Sequence, residues 1–313
     1  MTKSPITVSI VVPVYGAENF IAEFADSAFS QTYPYIEYVF VNDGTKDRSM
    51  EVLNSVIDEK YPALRERINI INKQNGGLPA ARKTGLEHAT GDYVWHVDPD
   101  DWLELDAVES IVDKIEETGA DVVYFNLVKE YEGKSKIKKD RPHAADAKAE
   151  YVWDMFNHKS FGSVCNKCIK RSLYANERVM FAKYSYAEDT FLTSQLIGYS
   201  KCIAFLDKPL YHYRKTNPHS ITRQNLVKRH REYAQNFMRL YDHYRDLPLE
   251  ESPIASIHDE ILIKLGWYVI LYRVNLYKDY PYLAEDIRKA KINSKADVNM
   301  VGQLLSKLVA KLK

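Results

Sequence analysis

Val94-Trp-His-Val-Asp98-Pro-Asp-Asp101-Trp102 is the stretch from which the chain is read: an apolar run ends in three carboxylates within four residues. Like charges packed so closely are unfavourable unless a cation or a donor-rich ligand satisfies them. Pro99 fixes its own φ and stops the strand, so the acids fall on a tight turn at the strand's C-terminal end. In open α/β sheets that edge is where ligands bind. Carboxylate oxygens are hard ligands suited to Mg2+ or Mn2+, and Mg2+ commonly reaches phosphates through one or two of them. The stretch therefore reads as a metal–diphosphate site, with a solvated acidic turn as the plainer alternative.

Working outward, strands and helices alternate. Val8–Val14 is an apolar β run, and Ile21, Phe24, Ala25 and Ala28 then recur at helical spacing. Tyr38–Val41, Ile68–Ile71, Tyr93–Val97 and Asp121–Phe125 read as further strands. Asp47–Glu59, with Asp47 as its cap, Leu78–His88 and Asp106–Glu117 read as the helices between them. Such alternation implies βαβ units and a mostly parallel sheet buried on both faces. Residues 129–150 change character and read as a charged, mobile excursion. Glu188–Ile197 reads as a helix, and from about Leu226 the pattern is largely helical. The expected division is a Rossmann-like α/β domain over 1–222 and a helical C-terminal region over 223–313.

The 313 residues suffice for a substantial core, and 45% hydrophobic with 27% charged residues is ordinary for a globular protein. With 43 basic and 43 acidic side chains, no overall field points to nucleic acid. Three cysteines form no disulfide framework and fit a reducing cytoplasm. No run approaches the length of a membrane span. The 23 tyrosines suit the walls of a sugar-binding cleft. Cys165 and Cys168 have metal-ribbon spacing without a second pair, so they read as buried thiols.

Three strand ends carry polar or aromatic groups: Pro13, Tyr15 and Glu18; Asn42-Asp43-Gly44-Thr45; and Asp98, Asp100 and Asp101. In a doubly wound sheet these ends lie along one edge. Tyr15 offers a ring to stack on a base, Asp43 an acceptor for a uracil N–H, and the acids a seat for a metal. Asn75-Gly-Gly-Leu-Pro-Ala-Ala-Arg82 precedes a helix, and Arg82 either faces the nucleotide or closes on the acids.

Together Val11-Val-Pro-Val-Tyr15, Val41-Asn-Asp-Gly-Thr-Lys-Asp47, Asn75–Arg82 and Val97-Asp-Pro-Asp-Asp101 resemble glycosyltransferase family 2 in order and spacing. The likeness is strong over residues 6–126. It continues through Asn166-Lys167, Ala187-Glu188-Asp189, Tyr211-His-Tyr-Arg214 and Ser220-Ile-Thr222. The resemblance implies a GT-A fold, a nucleotide-sugar donor, Mn2+ or Mg2+, and inversion at the anomeric carbon. Residue by residue it implies a nucleotide pocket at Pro13, Tyr15, Glu18, Asp43, Arg82 and Asp98. Asp100, with Asp98, is implied as metal ligand and Asp189 as catalytic base. His212 or Arg214 is implied near the diphosphate or the acceptor. Lys83 stands where the family usually has Asn, and Asp101 reads as support or a helix cap.

The expected activity is transfer of a hexose from a UDP-sugar to a glycan acceptor, on surface polysaccharide or glycoprotein, by a cytoplasmic enzyme. A sugar-phosphate nucleotidyltransferase and a non-catalytic sugar-nucleotide binding module are the alternatives. Val301, Leu304, Leu305, Leu308 and Leu312 share one face of a terminal helix, with Lys307, Lys311 and Lys313 away from it. That face is expected to pack on the helical region or a second copy, or to rest peripherally on the inner face of the membrane.

Overall fold

The structure is a computed structural model and describes residues 4–218, 220, 225–272, 276 and 279–289. Ile221 and Thr222 of the late motif, and the apolar face over 301–313, lie outside the described residues.

The first half is built as the alternation predicts. Strands β1 (Val8–Val14), β2 (Ile36–Asn42), β3 (Ile68–Asn72) and β4 (Tyr93–His96) run parallel. Helices α1 (Ile21–Phe29), α2 (Ser49–Lys60) and α3 (Leu78–His88) connect them. Every residue of β1 is buried, which is why its sequence is apolar but for Ser9. The added Cβ of an alanine at Gly85 would stand 2.3 Å from Val11 Cγ1, so only glycine lets α3 lie this close to β1.

Beyond β4 the chain forms β5 (Trp102–Leu103), α4 (Ala107–Thr118), β6 (Val122–Tyr131), β7 (Lys134–Lys138), α5 (Lys148–Phe156), β8 (Lys167–Lys170) and α6 (Arg171–Tyr174). It continues through α7 (Glu188–Tyr199), β9 (Ile203–Arg214), α8 (Leu226–Tyr244), α9 (His258–Tyr272) and α10 (Leu283–Lys289). The strand order is 3-2-1-4-8-6-9-5, with β7 paired to β6. β4–β8, β6–β8, β6–β7 and β5–β9 are antiparallel, and β6–β9 is parallel. The chain winds from β1 outward to β3 and then returns to place β4 on the other side of β1, so the order reverses there. Pairing of β1 with β4 stops at Val11 opposite His96. Pro13, which has no N–H to donate, lies just beyond that point, where β1 needs no ladder bond on that side. In open α/β sheets such a reversal is where a ligand crevice forms.

The stretch 129–150 is not a mobile excursion: β6 runs on to Tyr131, turns through Glu132-Gly133 and returns as β7. Gly133, at φ 69°, supplies the left-handed residue the hairpin needs. Four of the lysines that suggested disorder, Lys129, Lys134, Lys136 and Lys138, occupy one face of this hairpin.

Two clusters pack the sheet. One joins Val8, Ile10, Val12 and Val14 to α1, α2 and α4. The other joins Val11, Val39, Val122 and Tyr124 to α5, α7, α8 and α9, through Phe191, Phe237, Leu240 and Ile261 among others. Among the described residues no helix is long and apolar enough to cross a membrane.

Candidate active site

Four loops meet at the C-terminal edge of β1, β2 and β4. After β1, backbone N–H groups of Gly16, Ala17 and Glu18 donate to Thr45 Oγ1, Ser49 Oγ and Asp47 Oδ2 at 2.9, 2.9 and 3.0 Å. Glu18 Oε2 in turn accepts the Arg48 N–H at 3.0 Å. Asp47 also accepts the Ser49 N–H at 3.1 Å, so it and Glu18 share the capping of α2. Glu18 thus knits two loops together, and Tyr15, 57% exposed, stands above them with its ring in solvent. Pro13 is buried beneath.

Asp43 is buried at the end of β2. Its Oδ1 accepts from Lys73 Nζ at 2.7 Å and Gly76 N at 2.9 Å, and its Oδ2 from Gly77 N at 2.9 Å. The carboxylate therefore latches the glycine loop that opens α3. Gly77, at φ 83°, is the cap residue of that helix. Oδ2 retains a lone pair for one further donor.

Arg82 settles the alternative left open by the sequence: it closes on the acids. It is buried, with Nη2 on Asp98 Oδ1 at 2.7 Å and Nη1 on both Glu188 Oε1 and Asp189 Oδ1. Burial alone would favour a neutral group, but the three carboxylates hold this guanidinium firmly charged. Glu188 is pushed well up by burial and by Asp189, offset in part by Arg82. Asp189 also feels burial, yet Arg82 and a hydrogen bond from Glu188 hold its carboxyl below the usual range. The pair is thus pushed in opposite directions, Glu188 up and Asp189 down. The side chain of Glu188 is 5% exposed and that of Asp189 31%, so Asp189 is the one that reaches the cleft. Ala187, at φ 60° and ψ 20°, turns the backbone into α7 immediately before them.

Asp98 is raised to about 6, first by burial and then by Asp189 and Asp100, against the pull of Arg82. Asp100 Oδ2 accepts from Asn217 Nδ2 at 2.7 Å. Asp101 is the support its position suggested: Tyr211 donates its hydroxyl to Oδ2 at 2.5 Å and Arg214 its N–H to Oδ1 at 2.7 Å. Arg214 Nε donates to Asp100 O at 2.7 Å, and its guanidinium lies 4.6 Å over the Trp102 ring. His212 stacks on Trp102 with centroids 4.9 Å apart, and both its ring nitrogens meet carboxylates, Glu130 and Glu104, at 2.8 Å. It braces β9, with no ring nitrogen left over for a phosphate.

Two contributors escaped sequence reasoning, and a third, Lys167, is legible only within the Asn166-Lys167 motif, with no role given to it. Lys73 pairs with Asp43, and Asn217 with Asp100; neither residue type carries a motif. Lys167 is fully buried, its Nζ donating to Phe161 O, Ser163 O and Asn166 Oδ1 at 2.6, 2.7 and 3.0 Å. That holds the loop whose Gly162 carbonyl accepts from Thr193 of α7 at 3.0 Å. His96, under the acid turn, is buried, pushed down to about 3 by burial and then by Arg82, and neutral. A second acid–imidazole group, His143 with Glu150 and Asp154, is already bridged by Arg141, at 2.6 Å to Asp154 and 3.1 Å to Glu150. The three cysteines are free, with Cys165 and Cys168 buried.

Residues 9–178 match the Glycosyl transferase family 2 profile. Over 223 residues, 66% of this chain, the sequence is 34% identical to the glycosyltransferase GlyA of Streptococcus pneumoniae, of whose length it spans 30%. Residues 1–349 of S. aureus TarS in complex with UDP-GlcNAc superpose with a TM-score of 0.65 at 19% identity, covering 97% of this chain and 84% of that one. The mannosyltransferase PcManGT of Pyrobaculum calidifontis, in complex with GDP-Man and Mn2+, gives 0.59 at 17% identity, covering 99% and 81%. The likeness to both structures establishes the GT-A-type fold.

Proposed function

The chain belongs to glycosyltransferase family 2, and we propose that it transfers a hexose from a UDP-sugar to a hydroxyl of a glycan acceptor, inverting the anomeric carbon in one displacement. The observation that carries this reading is the Arg82 guanidinium, which binds the acid turn after β4 and the start of α7 at once. Groups more than ninety positions apart in sequence, Asp98 and Asp189, are thereby held across one cleft. The UDP-GlcNAc and the GDP-Man with Mn2+ held by the two superposed transferases support a nucleotide-sugar donor and a divalent ion.

The donor set fits such an ion. Asp98 Oδ2 and Asp100 Oδ1 accept no hydrogen bond among the described residues, and Asp100 adds to the cost of ionising Asp98. Asp100 and Asp98 would hold Mn2+ or Mg2+, which supplies charge neutralisation for a leaving diphosphate. Tyr15 stacks on the uracil, and Asp43 Oδ2 accepts its N3–H while Glu18, with Pro13 beneath, fixes the loops around it. Arg82 keeps Asp98 and Asp189 in register. Asp189 takes the acceptor hydroxyl proton as the new C–O bond forms and the bond to the diphosphate breaks; UDP leaves. Arg214 closes the turn from the β9 side, with His212 bracing it. We assign this chemistry to residues 1–222 and read 223–313 as the helical region that backs it. The three free thiols suit a cytoplasmic setting.

Asp189→Asn tests the assignment. A general base predicts a fall in kcat of about 10²–10⁴-fold with UDP affinity and folding unchanged. Retention of most of the transfer rate at saturating substrates would move the role to Glu188. Release of UDP and free or transferred hexose, rather than UTP or a sugar phosphate, separates this reading from a nucleotidyltransferase. Absence of any turnover would leave a binding module.

A further inference from the structure

The ribbon formed by β7, β6 and the end of β9 has two chemically unlike faces. Residues paired across strands share a face. The register sets Leu127 with Tyr211 and Lys138, Lys129 with Tyr213 and Lys136, and Tyr131 with Lys134. Leu127 is buried, and beyond it the face leaves the core: Tyr131 is 38% exposed. Lys215 extends the row, its N–H bonded to Glu130 O at 2.8 Å and its Nζ 4.3 Å from the Tyr213 ring centroid. These pairings place no carboxylate on that face. Among the described residues Lys129, Lys134, Lys136 and Lys138 have no acidic partner, while Lys139, on the other face, pairs with Asp207 at 3.4 Å. Like charges directly opposite one another destabilise a strand pair, yet Lys129 faces Lys136. The Lys129 amine is held below its ordinary range by burial and by Lys138. A hairpin that keeps such a row is suited to an anion.

We propose that this face binds a linear anionic glycan, the acceptor whose end is presented to the cleft beside Asp100 and Asp189. Lysines alternate with two tyrosines, so charge and ring faces for sugars come in one row. The row leads to the site, because β9 itself anchors Asp101 through Tyr211 and Arg214. A lipid surface fits less well: the exposed aliphatic Ile137 projects from the opposite face, which leaves the lysine face only tyrosine rings and no aliphatic side chain to insert. The presentation of the polymer end rests on the transferase reading; the binding surface does not.

The test measures binding of the whole chain to polygalacturonate, dextran sulfate, neutral dextran, and phosphatidylcholine vesicles containing phosphatidylglycerol. Wild type should bind both anionic glycans, weaken as salt rises, and ignore neutral dextran. Lys134→Glu with Lys136→Glu should weaken that binding at least tenfold, about fivefold per lysine or more, with UDP affinity unchanged as evidence of an intact fold. Lys136→Ala alone should give a smaller loss in the same direction. Equal binding by wild type and the double variant, equal binding of neutral dextran, no binding of either anionic glycan, or tighter binding to the vesicles than to the glycans would overturn it. Failure of wild type to bind UDP, with the glycan binding and its loss intact, would overturn the transferase reading and leave the surface standing.

Discussion

Arg82 shows how residue types become a site. Its position after a glycine loop was legible, and so were the acids at 98, 100 and 189, because each stands in a short motif. Which of its two candidate partners it takes is decided by burial: a guanidinium this far from solvent must be paired, and Asp98, Glu188 and Asp189 are the acids within reach. The latching role of Asp43 was not legible, since its donors come from Lys73, Gly76 and Gly77, some thirty residues on. Lys167, legible as part of a motif but not as a buried brace, gives a pH prediction. Burial lowers its amine from the ordinary 10.5 to about 8. Between those values the unfolded chain binds the proton that the folded chain has released, so this group's contribution to stability rises with pH across that window. Lys167→Met removes the term while leaving Lys264, lowered in the same way, in both proteins. Denaturant melts should show the wild type gaining on the variant as pH rises from 8 to 10, by up to ~1 kcal/mol per pH unit. A pH-independent difference would mean that Lys167 titrates as it does in the unfolded chain.

At the scale of elements, the parallel strands were readable because strands buried on both faces are written as apolar runs. The hairpin of β6 and β7 was not, because its outer halves pass the edge of the core and carry lysine where a strand pattern would show valine or isoleucine. The caps also shifted. The sequence gives Asp47 to α2, and the structure divides the work between Asp47 and Glu18 of another loop. Helix α7 owes its start to Ala187 in the left-handed region, a conformation that costs of order 1–3 kcal/mol and persists when its surroundings enforce it. Ala187→Val, with a β-branched side chain there, should lower the melting temperature and the transfer rate together, and Ala187→Gly should spare both. An unchanged melt and rate for the valine variant would show that this turn does not position Glu188 and Asp189.

At the scale of the whole molecule, the helical pattern from about Leu226 suggests a boundary near residue 222, but a pattern cannot show what the later helices cover. α8 and α9 close the cluster that contains Val11 and Val39 of the central strands, with Tyr233, Phe237, Met238 and Leu240 all buried in it. A chain ended at residue 222 should therefore expose that cluster and lose cooperative unfolding in calorimetry; a sharp melt with full UDP affinity would make 1–222 an autonomous unit. The sheet, its reversal between β1 and β4, and α7 converge on one edge, where the proposed UDP site depends on a divalent ion at Asp98 and Asp100. Titration calorimetry of UDP and ADP, with Mn2+ and with EDTA, on wild type and Asp100→Ala tests it most directly. The account predicts that wild type binds UDP roughly tenfold or more tightly with Mn2+ than in EDTA, prefers UDP to ADP, and loses the metal dependence in Asp100→Ala. Equal UDP affinity in Mn2+ and EDTA, or equal affinity for UDP and ADP, would contradict it.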